Sequence, residues 1–312
     1  MKEKVLITGA NGHLGKKLIL ASDEYDICAL VRSEKAERDL MNFIEGHNKK
    51  NVEIVKCDYL DVSTMKQLAS SCRYAVHLVG IIKENGQNNF DLVHKQTTKV
   101  LIEALKDSKV EKICYISILG SKEDSRNACF SSRGFAENLF LKSNTPSLIL
   151  QIPMVLGEGD YASRALIKNA LSKFNFTFRK LSLEQPIYAG DVIKAIKIDI
   201  NKTFTEVKSP NGVKILAGPI SLTREELTQK VAKLKGVKVR VFSLPLLLGY
   251  ALAGIAEILL TNPPTSKAML EVLDHDDNVD PLPACSELDI QLTPLESMLE
   301  SIVSFKSDFF KE

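Results

Sequence analysis

The chain has 312 residues, of which 45% are hydrophobic and 26% charged, with 16 glycines and 11 prolines. This composition suits a folded globular protein of about two domains and excludes a disordered chain or a mini-protein. Lys and Arg number 41 against 39 Asp and Glu, a net charge of +2, so bulk charge recruits neither nucleic acid nor an anionic membrane.

Short β-branched runs alternate with stretches of helical period over the first half. The runs are Lys4 to Thr8, Ile27 to Val31, Val52 to Val55, Tyr74 to Val79, Lys112 to Ser117 and Leu148 to Ile152. Between them Leu14, Leu18 and Ala21 share one helix face, and Val93, Val100, Leu101, Ala104 and Leu105 mark a long fourth helix. Near-continuous apolar strands separated by helices predict a doubly wound parallel α/β sheet covered on both faces.

The first strand runs into Thr8-Gly9-Ala10-Asn11-Gly12-His13-Leu14-Gly15 and then a helix. A glycine triplet in that position predicts a dinucleotide-binding turn. Gly9 permits the tight turn, Gly12 admits a pyrophosphate against the backbone, and Gly15 lets the helix approach the strand. Asn11, His13 and Leu14 complete the turn, whose exposed N–H groups and helix dipole attract phosphate. The second strand ends at Arg32 with no acidic residue beside it, and Ser33 and Lys35 follow. An acidic residue there would bind a ribose 2′-hydroxyl, whereas arginine accommodates a 2′-phosphate, so NADP(H) is expected over NAD(H).

After Pro153 the alternation breaks. Helical patterns at Arg164 to Phe174, Arg224 to Lys235, Pro245 to Leu260 and Leu295 to Lys306 are separated by short strand-like pieces such as Val213 to Ala217. Thr223, with Glu225 and Glu226 behind it, predicts a helix N-cap. The expected organisation is a Rossmann domain over 1–155 and a smaller α+β lobe over 156–312. With no Gly/Ser or Pro-rich linker between them, the two are expected to pack tightly.

Six cysteines lack any Cys-x-x-Cys spacing, and Cys28, Cys57 and Cys114 fall in or at the end of apolar runs. They predict reduced, buried thiols and, with no signal-like N-terminal apolar run, a cytoplasmic setting. The apolar stretch Leu244 to Leu260 is broken by Pro245, Gly249, Gly254 and Glu257. It predicts a packed or interfacial helix rather than a transmembrane one, with an exposed face able to dock on a protein partner or a membrane face. His275, in Asp274-His275-Asp276-Asp277, has no second histidine or cysteine at ligand spacing, so no metal is expected. His77, inside an apolar strand, is expected to be a satisfied core histidine.

The glycine turn, Leu30-Val31-Arg32, Cys57-Asp58 and Ile116-Ser117 together resemble the extended and atypical short-chain dehydrogenase/reductase superfamily. His77-Leu78-Val79-Gly80, Phe90 to His94, Val110-Glu111-Lys112-Ile113, Ile116 to Gly120, Gly218-Pro219 and Leu222 to Leu227 resemble the branch containing the NADPH-binding accessory subunit of respiratory complex I and its bacterial relatives. The resemblance implies that Asp58 and Tyr59 flank the adenine, that Val79 and Gly80 line the path to the nicotinamide ribose, and that Pro153 and Met154 approach the carboxamide. It also implies a serine, a tyrosine and a lysine for catalysis. Ser117 holds the serine position, but Cys129 and Arg133 stand where tyrosine and lysine are expected. A degraded triad predicts an accessory, assembly or redox-sensing protein, peripheral to a membrane complex, with a structural nucleotide. The alternative is an NADPH-dependent oxidoreductase or epimerase-like enzyme with another proton donor, for which Tyr161 and Tyr188 are the candidates.

Overall fold

The computed structural model describes residues 2–259, 266–273 and 275–305. Each apolar run of the first half forms a strand, and each amphipathic stretch between them a helix. In order these are β1 (Lys4–Thr8), α1 (His13–Leu20), β2 (Asp26–Val31), α2 (Glu34–Gly46), β3 (Val52–Lys56), α3 (Val62–Ala69) and β4 (Tyr74–His77). A π-helical turn (Asp91–Gln96) leads into α4 (Thr97–Leu105), followed by β5 (Lys112–Ile118), α5 (Ala128–Lys142) and β6 (Ser147–Ile152). Helix starts are fixed by short polar caps. Ser33 accepts from the Ala36 N–H ahead of α2, Asp61 from Ser63 and Thr64 ahead of α3, and Asn127 from Phe130 ahead of α5.

The second half contributes β7 (Val155–Leu156), α6 (Tyr161–Leu171), β8 (Phe174–Phe178), β9 (Leu183–Glu184), β10 (Ile187–Tyr188), α7 (Ala189–Phe204), β11 (Gly212–Ile215) and β12 (Leu222–Thr223). It ends with α8 (Arg224–Leu234), β13 (Arg240–Leu244), α9 (Leu246–Leu259), α10 (Lys267–Leu273), α11 (Leu282–Leu288) and α12 (Leu295–Ser304). The expected ends Leu260 and Lys306, and Asp274, lie outside the described residues. Thr223 caps α8 as expected and forms a reciprocal capping box with Glu226.

Seven parallel strands form the main sheet in the order β11-β6-β5-β4-β1-β2-β3. Strand order reverses between β1 and β4, which opens a crevice at the carboxyl ends of the strands. One face buries Leu18, Leu40, Phe43, Val192, Ile196 and Leu288 beneath α1, α2, α7 and α11; the other buries Met65, Leu101, Leu105 and Phe140 beneath α3, α4 and α5. A third apolar cluster, around Leu156, Leu166, Leu227, Val231 and Met298, is the core of the smaller lobe, which also holds three two-stranded sheets.

The structure corrects the sequence reading in three places. The piece expected at Val213 to Ala217 is not a lobe strand: as β11 it pairs with β6 and completes the main sheet. The helix expected to reach Phe174 ends at Leu171, because alternation in Phe174, Phe176 and Phe178 begins a strand there. The fourth strand ends at His77, and Leu78 and Val79 instead run beside Gly9.

Candidate functional site

The loop from β1 into α1 gives its three glycines three different reasons. Gly9 has φ +72°, and a Cβ there would lie 3.1 Å from the Leu78 carbonyl carbon. Gly15 is set by packing, since a Cβ would come within 2.5 Å of the Ala10 carbonyl oxygen. Gly12, the helix N-cap, has an ordinary φ of −69° and is exposed, and a Cβ there would meet only the Gly9 oxygen, at 3.3 Å. Nothing in the chain itself forbids a side chain at Gly12, so the open space in front of it suits a pyrophosphate. Asn11, His13 and Leu14 are half-buried around it. Burial, with the Lys16, Arg164 and Lys17 cations, pushes the His13 imidazole down to about 4, so it is neutral near pH 7.

Tyr59 lies beneath this loop. Its buried phenol accepts from the Gly9 N–H at 2.8 Å and donates to the Leu30 carbonyl at 2.7 Å, bracing the turn against the end of β2. Beyond it, an open cleft of about 560 Å³ is lined by Arg32, Ser33, Glu34, Lys56, Cys57 and Asp58. Lys56 pairs with Glu34 at 3.2 Å, and Asp58 accepts from the Leu60 N–H at 3.0 Å. Arg32 is exposed and has no acidic partner among the described residues.

Ser117, Cys129 and Arg133 converge near the carboxyl end of β5, each buried. The Ser117 hydroxyl is bonded to Glu137 and lies 3.2 Å from Ser121, so it is turned into the protein. Glu137 also accepts from Gln151 Nε2 at 2.9 Å, and burial raises its carboxyl above the usual range. Cys129 is fully buried, with Sγ 3.6 Å from the Ile81 carbonyl, and burial raises its thiol further, so it is not a thiolate. Arg133 is 6% exposed; a terminal nitrogen donates to the Ile116 carbonyl at 3.2 Å, and its Nε has no partner. The guanidinium lies against Gly80, where a Cβ would come within 2.3 Å of it.

Two buried histidines feel the Arg133 charge. The Nδ1 of His77 lies 2.7 Å from Thr8 Oγ1, but its Nε2 has no partner, so it is only half satisfied. His94 went unassigned in the sequence reading. Its Nε2 accepts from the Ile81 N–H at 3.0 Å, so Nδ1 carries the proton toward Ser132 Oγ at 2.7 Å, and this neutral ring orders the chain after Gly80. Burial, then the Arg133 charge, lowers His77 to about 3 and His94 to about 2.

The candidate phenols differ. Tyr188 donates to Glu158 at 2.5 Å, and burial and that carboxylate push it up to about 12. Tyr161 is 73% exposed on the rim of an apolar cavity that Pro153 and Met154 also line. Glu158 binds Lys17 at 2.6 Å and Ser301, joining α1 to α12. His275 pairs with Asp277 at 2.9 Å. In α9, Leu247, Leu248, Leu252 and Ile255 are exposed while Ala253 is buried. No helix among the described residues is long and apolar enough to cross a membrane.

A reversing parallel sheet with this glycine turn at its crevice defines a dinucleotide-binding Rossmann protein. Residues 9–144 match the family described as NAD(P)H-binding. Over this segment the chain is similar to NAD(P)H-binding proteins, which supports NAD(P)(H) as the cofactor class. A ceramide reductase of Caulobacter vibrioides is 28% identical over 171 residues, 53% of this chain and 50% of that protein, so the match spans half of the relative's length. NADH dehydrogenase [ubiquinone] 1 alpha subcomplex subunit 9, mitochondrial, of Mus musculus is 22% identical over 93% of this chain and 77% of its own. The fold is shared with UDP-glucuronic acid 4-epimerase from Bacillus cereus in complex with NAD, at a TM-score of 0.71 and 17% identity over 98% and 99% of the two chains.

Proposed function

We propose that this chain binds NADP(H) in preference to NAD(H) and serves as an accessory, assembly or redox-sensing protein in which the nucleotide is a structural ligand. The observation that carries the reading is the buried pair Cys129 and Arg133 at the tyrosine and lysine positions, with Ser117 turned to Glu137. A buried guanidinium whose Nε lacks a partner is costly unless a ligand completes its hydrogen bonds, which suits nucleotide ribose hydroxyls.

In this reading Gly12 and the amides of His13, Leu14 and Gly15 hold the pyrophosphate. Arg32, with Ser33 and Lys35, holds the 2′-phosphate; Asp58 borders the adenine, and Tyr59 braces the loop from below. Val79 and Gly80 form the wall toward the nicotinamide ribose, and Pro153 and Met154 the wall toward the carboxamide. When bound, the nicotinamide supplies or accepts a hydride. This chain places no phenol from α5 to move the accompanying proton, and Cys129 holds its proton too tightly and lies too deep to replace one. Sequestered nucleotide stabilises the fold by mass action. Similarity to the mouse complex I subunit supports the accessory role, and the exposed face of α9 supports a docking role at a membrane complex.

The second reading is an NADPH-dependent oxidoreductase or epimerase-like enzyme. Tyr161 favours it, because its side chain stands on the cavity at the carboxyl ends of the strands.

The test has two arms. Titrated with both nucleotides, wild type is expected to prefer NADPH, and Arg32→Ala is expected to lose one charge-assisted contact of about 1.5 to 3 kcal/mol, at least tenfold in NADPH affinity. Equal affinities in wild type would refute the preference. Assayed with NADPH against a panel of aldehydes, ketones and quinones, the protein is expected to turn over about 10²- to 10⁴-fold more slowly than a working enzyme. Turnover near 10 per second on any of them would replace the accessory reading with the enzymatic one.

A further inference from the structure

A cavity of about 530 Å³ lies between the carboxyl ends of β5 and β6 and the smaller lobe. Its walls include Ile118, Met154, Leu166, Leu227, Leu246 and Leu270, and they are mainly hydrocarbon. The charged groups on the wall are already matched. Arg224 bonds Glu184 at 2.5 Å and the Phe178 carbonyl at 2.7 Å, and His275 is paired with Asp277. A diphosphate-bearing ligand such as a sugar nucleotide would have to break one of these pairs, the Arg224–Glu184 pair being largely shielded from solvent, to find a cation, whereas an uncharged hydrocarbon chain needs none.

One side of this cavity is continuous with an apolar outer face. In the β8/β13 ribbon Phe176 stands opposite Phe242. Asn175 and Val241 point inward, while Phe174, Phe176 and Phe242 point out, 46%, 62% and 43% exposed. Helix α9 crosses the end of the same face, with Gly249 against the Phe178 ring, and exposes Leu247, Leu248, Leu252 and Ile255. Phe178 and Leu246 belong to both the cavity wall and this face.

The two sequence segments that carry most of the face are basic, although Arg179, Lys180 and Lys230 pair with Asp276, Glu225 and Glu296, and Glu257 is exposed on α9. Between Asp160 and Glu184 the sequence holds Arg164, Lys168, Lys173, Arg179 and Lys180 and no acidic residue. Between Glu226 and Glu257 it holds Lys230, Lys233, Lys235, Lys238 and Arg240 and again none. The Lys173 ammonium lies 5.6 Å from the Phe174 ring centre, and Arg240 is exposed two positions before Phe242 on the same strand face. Aromatic and leucine side chains with Lys173 and Arg240 beside them fit the interface of an anionic bilayer.

We propose that the cavity takes a long-chain, uncharged lipid, admitted from an anionic bilayer on which the face formed by β8, β13 and α9 rests. The proposal rests on the nucleotide reading only for its implication that the lipid's polar end meets the carboxyl ends of the strands.

The NADPH-loaded full chain is titrated calorimetrically with 2-octanone, 2-decanone and 2-dodecanone and, separately, with UDP-glucuronate. Ketone affinity is expected to rise about fourfold for each added methylene. UDP-glucuronate is expected not to bind, and Ala165→Trp, which fills the cavity, is expected to abolish ketone binding and leave NADPH affinity unchanged. Binding of UDP-glucuronate, or an affinity flat with chain length in wild type, would overturn the proposal whether or not the variant folds. In co-sedimentation, wild type is expected to bind phosphatidylglycerol-containing vesicles and not pure phosphatidylcholine, and Leu247→Glu with Leu252→Glu, both on exposed positions, to lose this binding. Failure to bind the anionic vesicles, or self-association through this face instead, would overturn the bilayer source. NADPH content is measured in every sample: ketone binding without NADPH binding would sink the nucleotide reading alone.

Discussion

Three glycines that look equivalent in the sequence separate once the atoms around them are placed. Gly15 is held by the Ala10 carbonyl, whereas Gly12 faces open space. Gly15→Ala is therefore expected to destabilise the fold by about 1 to 3 kcal/mol through overpacking, measured by urea denaturation. Gly12→Val is expected to leave the melting temperature of the nucleotide-free protein nearly unchanged and to remove the stabilisation given by NADPH. That stabilisation is about 2.7 kcal/mol at a hundredfold excess over Kd. A folded Gly12→Val protein still stabilised by NADPH would place the pyrophosphate elsewhere. The glycine spacing was readable from the sequence because it is local. The engagement of Ser117 with Glu137, and of Tyr59 with Gly9 and Leu30, was not, because each joins residues 20 to 50 positions apart.

At the scale of elements, the end of β4, the π-helical turn and α5 meet around neutral imidazoles beside a buried cation. His77 and His94 have their ordinary value near 6.5 when unfolded and about 3 and about 2 when folded. Protonation therefore favours the unfolded chain. The stability they confer is fully present above about pH 6.5 and is lost as pH falls toward their folded values. Between pH 6 and 4 the loss is expected to approach about 1.4 kcal/mol per pH unit for each ring. Urea midpoints measured from pH 7.5 to 4.5 check this, and His94→Gln is expected to reduce the slope by about one ring's share, roughly a third, since His13 is lowered as well. A flat profile above pH 5 would show that these rings are not held neutral. Long, uniformly apolar strands with helices between them announced most of the sheet. The α6 to β8 boundary was missed because Leu171 and Phe174 continue a helical spacing for one more turn before the alternation of Phe174, Phe176 and Phe178 becomes visible.

Across the whole molecule, a net charge of +2 concealed two long segments without an acidic residue, a pattern open to inspection in the sequence but averaged away by the total. Less visible was how the chain returns to its main sheet. Lys112, at the start of β5, is 5% exposed and bonds Asp199 of α7 at 2.8 Å, Ser209 at 2.9 Å and the Pro210 carbonyl at 2.7 Å, fastening the segment that leads into β11. Lys112→Met leaves Asp199 buried without its cation and is expected to cost about 3 to 5 kcal/mol, read by chemical denaturation. Adding Asp199→Leu is expected to recover most of the loss. If the single change cost under about 1 kcal/mol, the pair would not fasten this segment.

The position of β11 also sets an order of assembly. During synthesis β6 is complete at Ile152, but its outer neighbour is not complete until Ile215, 63 residues later. At roughly 5 to 20 residues per second, β6 waits about 3 to 13 s with one edge unpaired. Its six residues, SLILQI, are all buried in the finished protein, and an apolar strand with a free edge readily pairs with another chain. The nascent polypeptide therefore passes through an interval in which the open edge of β6 is available to pair with a neighbouring chain on the polysome.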